Sequence, residues 1–169
     1  GARPLKRLIQ REIADRAAVL ILEGKAGEDS TIRVDARDGD LLVVNFDTFH
    51  DRLNAYNFQT NAGCALRDSQ SYDDGRTVNA NWDTVWQCRS SKGDGAWYVE
   101  IGVPFKQMRF PRADEQVWGM NIFRLIRHTN EQTAWNPIPR QFNQFKSSYE
   151  GVLEGIKGVN PGRNIRIKP

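Results

Sequence analysis

Asp47, His50, Asp51 and Asn54 crowd into the stretch FDTFHDRLN between two apolar runs. Calcium takes six to eight oxygen ligands, so the carboxylates of Asp47 and Asp51 are candidate ligands for that ion. The spacing is not that of an EF-hand loop, and the competing reading is a polar turn in which both carboxylates accept nearby backbone amides. Zinc at His50 is a weaker reading, because the other histidine, His128, is remote in sequence and no cysteine lies nearby.

A second chemistry comes from aromatic rings. The chain has five tryptophans and four tyrosines, and an aromatic face stacks on the apolar face of a pyranose while polar neighbours take the hydroxyls. Trp82, Trp86 and Trp135 fall near turns, with Asn79, Asn81, Asp83, Asn136 and Arg140 close by in sequence. Trp82, Trp86, Trp135 and Arg140 are therefore the candidate carbohydrate-binding residues. The same three rings could instead fill a core, where most large aromatics go. Trp97 and Trp118 sit on inward phases of alternating runs and read as core.

Enzymatic chemistry finds no foothold. GxSxG, HExxH and a Gly-rich dinucleotide turn are all missing, so the expectation is a non-catalytic protein. Asp73 and Asp74 in SYDDGRT are adjacent carboxylates, but a turn through Asp74-Gly75 explains them better than an acid/base pair facing across a substrate.

These residues need strands to hold them. From Leu41 onward, short alternating runs are divided by Gly, Asn, Asp and Pro at the spacing of an all-β sandwich: LLVVNFD, NAYNFQTN, TVWQCRS, WYVEIGVPF, VWGMNIFRLIRH, TAWNPIP and GVLEGI. Pro104 should stop one ladder, with a turn or short helix in FKQMRFP. A twist or bulge is expected past Phe123, where Arg124 and Arg127 fall out of step. Before Leu41 the pattern differs. Pro4 suits a first helical turn, and Leu5, Leu8, Ile9, Ile13, Ala17, Leu20 and Ile21 recur at helical steps up to Gly24. TIRVDA then alternates, and Asp38-Gly39 supplies a turn that would make it a hairpin with LLVV. The fold class expected is α+β, mainly an antiparallel β-sandwich, with an N-terminal helical segment and β-hairpin.

Composition sets outer bounds. A chain of 169 residues, 39% hydrophobic and 27% charged, has no apolar run near the roughly 20 residues of a membrane helix. A start at Gly1 without Met suggests a processed or excised fragment. Cys64 and Cys88 carry no metal-knuckle spacing; a buried pair of free thiols is the plainer reading and a disulfide between neighbouring strands the other. The net charge of +3 is concentrated at both ends, without a groove-reading helix or stacking motif, so nucleic acid is not an expected partner.

Two resemblances overlap at one strand. GARPLKRLIQREI and GEDSTIRVDARDGDLLVV, covering about Gly1 to Val44, resemble the small C-terminal subdomain of the second ATPase ring of ClpB-type AAA+ disaggregases. The resemblance implies that Arg3 stands where that family has a nucleotide-sensing arginine. No GxxxxGK[ST] loop accompanies it, so the role would be vestigial. From about Leu41 to Pro169, the ordered set FDTFHDRLNAYNFQTNAG, NWDTVW, WYVEIGVPFKQMRFP, WGMNIFRLIRHTNEQTAWNPIPR and LEGIKGVNPGRNIRIKP resembles the family 9-like carbohydrate-binding domain of bacterial outer-membrane proteins. That resemblance implies a jelly-roll sandwich, sugar as ligand and calcium as cofactor. The division expected is 1–40 for the helix and hairpin and 41–169 for the sandwich, its first strands replaced by the preceding segment. The parents imply a β-barrel or an AAA+ ring as partner, both absent here. They also imply opposite compartments: periplasm or outer membrane for the sandwich, cytoplasm for the N-terminal segment. The reading is a chimera that binds carbohydrate, with calcium's assistance. The alternatives are an interaction domain without retained ligand and an orphan AAA+ fragment.

Overall fold

A computed structural model describes residues 39–93, 96–127 and 129–161. Arg3, the expected N-terminal helix and TIRVDA lie outside them, as does the exit segment after Pro161. Among the described residues nine strands follow one another: β1 (Leu41–Asp47), β2 (Ala55–Asn61), β3 (Arg67–Tyr72), β4 (Thr77–Asn79), β5 (Gln87–Gly93), β6 (Ala96–Gly102), β7 (Glu115–Ile126), β8 (Glu131–Ala134) and β9 (Gly151–Lys157). Every pairing among them is antiparallel. One sheet runs β4-β3-β2-β1-β7-β8, with β9 also on β7, and a two-stranded sheet β5-β6 makes a second layer. The architecture is sandwich-like, as expected.

β1 is a central strand. Leu41 through Phe46 pair with β2, from Leu41↔Asn61 to Phe46↔Tyr56, and Leu41 through Asp47 pair with β7, from Leu41↔Leu125 to Asp47↔Gly119. Both rows of backbone donors and acceptors are thereby engaged. The expected hairpin between TIRVDA and LLVV is overturned: β1 has no free edge along Leu41–Phe46 for another strand to join in this sheet. The long sheet ends instead at β4 on one side and at β8 and β9 on the other.

Period-two alternation sorts this sheet into two faces. Leu42, Val44, Tyr56, Phe58, Trp118, Met120 and Ile122 meet Trp97, Val99 and Ile101 of β6 in one apolar cluster, with Trp97 and Trp118 buried as the alternation predicts. The rings pack edge-on or tilted, Phe46 on Trp118 at 6.1 Å and Phe110 on Trp118 at 5.4 Å, the arrangements that ring quadrupoles favour. The opposite face is polar yet also buried, and it organises the candidate site.

Several elements depart from expectation. β3 and β4 were not foreseen, since the inward positions of β3 are Ser69 and Ser71 rather than apolar residues. TVWQCRS becomes strand only from Gln87, and TAWNPIP contributes only its first two residues, to β8. The bulge lies not past Phe123 but where β9 shifts against Gln116 and Trp118, beside Gly155 at φ 89°, a left-handed conformation natural for glycine. β7 runs on to Ile126, and Arg124 is held by the fully buried Asp40 at 3.0 Å. The short helix in FKQMRFP is present as a 3-10 turn at Phe105–Gln107, directly after Pro104.

The free-thiol reading of the cysteines is overturned. Cys64, in the turn after β2, is bonded to Cys88 of β5 at 2.04 Å across 24 residues. The bond joins the two sheets, seconded by Ser90 Oγ donating to the Ala62 carbonyl at 2.7 Å. Closing a loop of that length restrains the unfolded chain by about 3 kcal/mol. Cys64→Ser/Cys88→Ser should therefore lower the unfolding free energy by about 3 kcal/mol in urea titrations. An unchanged midpoint would show that the aromatic core alone fastens β5-β6.

Candidate functional site

Three strands repeat one pattern on the polar face: an asparagine between two large apolar residues, in Val44-Asn45-Phe46, Tyr56-Asn57-Phe58 and Met120-Asn121-Ile122. Register aligns them, since Asn45 is the direct partner of both Asn57 and Asn121, and Asn57 is the partner of Ser69. All three asparagines are 0% exposed. A buried amide is costly unless it is bonded, so this row demands partners.

Asn57 finds them on β3, in Ser69 and Ser71; residues 135–150 supply them for the other two. This strap crosses the polar face from β8 to β9, and Asn45 and Asn121 grip its backbone. Asn45 Nδ2 donates to the Gln144 carbonyl at 2.6 Å, and Asn121 exchanges two bonds with Asn136, each 2.9 Å. Asn136 Nδ2 then donates to the Tyr149 carbonyl at 2.7 Å, tying the strap's two ends together. On the β3–β4 side, Asp74 accepts from Lys146 Nζ and from the Ser148 amide, and Asn143 Nδ2 donates to the Gly75 carbonyl at 3.0 Å. Burial pushes the Asp74 carboxyl up, but the Lys146 and Ser148 donors outweigh it and hold it below its ordinary value. The SYDDGRT turn is thus a turn, as expected, and also an anchor. Gly75 is required there twice, by φ 77° and because a Cβ would lie 2.4 Å from the Phe145 carbonyl oxygen.

At the far end of β1, Asp47 holds a tight turn in which His50 and Arg52 have positive φ of 50° and 62°. Its Oδ1 accepts the Asp51 amide at 3.1 Å and its Oδ2 the Arg52 amide at 2.7 Å, offsetting that backbone strain. Asp51 does the same one step on, taking the amides of Leu53 and Asn54 on Oδ1 and the Asn54 side chain on Oδ2. All four carboxylate oxygens therefore face N–H donors, the bonding of the polar-turn reading. Among the described residues, no three His, Cys, Asp or Glu side chains converge where a metal ion could sit.

Behind Asp47 stands Glu150, which the sequence reading missed. It is 3% exposed, its Oε2 accepts the Asp47 amide at 3.2 Å, and its own carbonyl accepts from Arg52. Burial first, and the Asp47 charge second, push its carboxyl up to about 8; burial raises Asp47 as well. Gly119 of β7 makes the approach possible, because a Cβ there would lie 2.8 Å from Glu150 Oε2 and 3.0 Å from Asp47 Cβ. Glu150 is 103 residues from Asp47, and β7, paired with β1 along one edge and with β9 along the other, brings them together.

The candidate aromatic residues do not converge. Trp86 is 4% exposed and packs edge-on against Phe58 at 5.4 Å, so its ring belongs to the core. Trp82 is half-buried and leans on Tyr56 at 5.1 Å. Trp135 is half-buried at the opposite edge, where a Cβ on Gly151 would come within 2.6 Å of its ring. Tyr56, Phe46, Met120 and Gly151 are successive register partners, so the two ring sites are anchored three strand spacings, about 14 Å, apart. Two rings clasping one pyranose need a gap of roughly 7–8 Å. Arg140 is exposed on the strap, near Phe142, which is 37% exposed, stacks with Tyr149 at 5.6 Å and carries Lys146 Nζ over its ring at 4.8 Å.

Comparison with known proteins divides the chain. Residues 1–34 match the C-terminal, D2-small domain of ClpB protein. The first 40-odd residues resemble the Rickettsia conorii ClpB chaperone, 49% identical over 44 residues, which is 26% of this chain and 5% of that protein. They also resemble a Chlorobaculum tepidum ClpB 1 at 53% over 44 residues, 26% of this chain and 10% of that protein. The chain thus spans a tenth or less of the length of these relatives. The fold resembles that of a presumed carbohydrate-binding protein from Bacteroides uniformis, with a TM-score of 0.53 at 17% identity over 72% of this chain and 66% of that one. The chain thus joins a ClpB-like segment to a domain with the fold of that Bacteroides protein.

Gly119→Val tests the packing behind Asp47. The added branches have no space between the two carboxylates, and the expected loss is about 1–3 kcal/mol of unfolding free energy in denaturant titration. A neutral result would mean that Glu150 does not sit against β7.

Proposed function

We propose that the chain is a non-catalytic carbohydrate-binding module built on a jelly-roll sandwich. The likeness to the Bacteroides fold supports this reading, and the observation that carries it is the strap: Asn45 and Asn121 fix its backbone, so that Arg140 and Phe142 are presented at the surface on a rigid support beside the half-buried Trp135. Trp135 would take the apolar face of a sugar ring and Arg140 its hydroxyls or a carboxylate. Trp82 offers a separate contact at the opposite edge. Trp86 has no part in it, because its ring is inside. Calcium is assigned no ligand set, since Asp47 and Asp51 are engaged with amides.

A specific observation favours one alternative, an interaction domain with no retained sugar: Trp82 and Trp135 lean on strand positions about 14 Å apart, and both pack against the core. Titration calorimetry against mono- and oligosaccharides, with calcium and then with chelator, decides. Binding heat is expected with at least one glycan; Arg140→Ala, an exposed change, should weaken affinity by about tenfold while leaving the melt unchanged. Chelator should change neither heat nor melting temperature. Silence with every glycan, beside a cooperative melt, would replace sugar binding with the interaction reading. The inter-sheet disulfide supports residence in an oxidising compartment. ATP should leave the melt where it is, since Arg3 has no phosphate-binding loop beside it.

A further inference from the structure

We propose, resting on the carbohydrate reading, that the inner face of β3 and β4, walled by Trp82, binds an amino sugar through its charged ammonium group. β3 pairs with β2 so that Asp68 lies opposite Phe58 and Gln70 opposite Tyr56, and β4 continues the second row with Asn79. Ser69 and Ser71 are buried on the strap side, so alternation puts Asp68, Gln70 and Tyr72 on the face of the aromatic core. The core cluster stops at Tyr56 and Phe58; beyond it Asp68, Gln70 and Asn79 are half-buried and Tyr72 is exposed. Trp82, itself half-buried, stands over this margin, 5.1 Å from the Tyr56 ring and 6.1 Å from that of Phe58. The residues after it tie the wall down. The Thr84 amide donates to Asp68 Oδ2 at 2.7 Å, and Thr84 Oγ1 donates to Gln107 at 2.8 Å.

The polar groups here are poised for a ligand with a positive charge. Asp68 Oδ1 accepts no hydrogen bond among the described residues. Burial pushes that carboxyl up, the Thr84 amide offsets part of the rise, and the charge of Asp83 adds to it. Arg67 falls on the opposite phase of β3, and Lys106 and Arg109, on the turn that holds Gln107, are exposed; none of the three pairs with Asp68. The Tyr72 hydroxyl donates to Gln70 Oε1 and the Asn81 amide to Asn79 Oδ1, which leaves both side-chain amides with N–H donors to offer. A pyranose bearing an ammonium answers each of these: its apolar face lies on Trp82, its ammonium meets Asp68 beside aromatic rings, and its hydroxyls accept from Gln70 and Asn79. An acidic sugar would meet Asp68 as a like charge.

Titration calorimetry at about pH 6 compares glucosamine oligosaccharides with the same oligomers N-acetylated, which keep the ring and lose the charge. The charged form is expected to bind about tenfold tighter. Asp68→Asn, which keeps an acceptor for the Thr84 amide, should remove the preference without shifting the melt, and Arg140→Ala should retain it. Equal affinity for the two forms overturns the amino-sugar site and leaves the carbohydrate reading standing; silence with these and every other glycan overturns both. Should Asp68→Asn fail to fold, amide chemical shifts of the wild type decide: changes at Asp68, Gln70 and Asn79 on adding the charged oligomer support the site, and changes confined to the strap overturn it.

Discussion

The structure depends on β1 being hydrogen-bonded along both edges. A strand so placed can carry buried residues on both faces, because neighbours on either side extend each face into a continuous surface. On one face this gives Leu42, Val44 and Phe46 their partners in the aromatic core. On the other it sets Asn45 between Asn57 and Asn121, and Asn45 and Asn121 in turn fix the strap. At its end, the same pairing with β7 brings Asp47 over Gly119 and so against Glu150.

The double pairing also decides how the two ancestries can coexist in one chain. The ClpB family model stops at residue 34, before β1 begins at Leu41, while the alignments with individual ClpB chaperones run over 44 residues. Between them, Asp40 is fully buried and bonded to Arg124 and to the Arg127 amide, which fixes the entry into β1 from the β7 side. The overlap of the two resemblances at Leu41–Val44 is therefore resolved in favour of the sandwich: those residues are committed to β2 and β7.

Much of this was legible in the sequence, and the rest was not for identifiable reasons. β1, β2, β6, β7 and β9 carry alternating apolar residues, and Trp97 and Trp118 were read correctly as core. β3 escaped because its inward residues are serines, which carry no hydrophobic signal. The strap escaped because it has no period at all; its order comes from side chains on strands far away in sequence. Asp47 and Asp51 bond as the polar-turn reading of that stretch has them. Glu150 could not be found from spacing, since its contact with Asp47 exists only after β9 joins β7. The one available signal was the apolar-Asn-apolar triplet repeated in three strands, which marks a buried polar row once those strands are aligned.

Amide hydrogen exchange across β1 in the intact chain tests this account most directly. If both edges are paired within one core, the amides of Leu42 through Phe46 exchange as slowly as those of Met120 through Ile122, and only through global unfolding. Exchange of alternate β1 amides at the rate of the edge strand β8 would show one side of the strand unpaired, and would contradict the placement on which the asparagine row, the strap and the acid pair all rest.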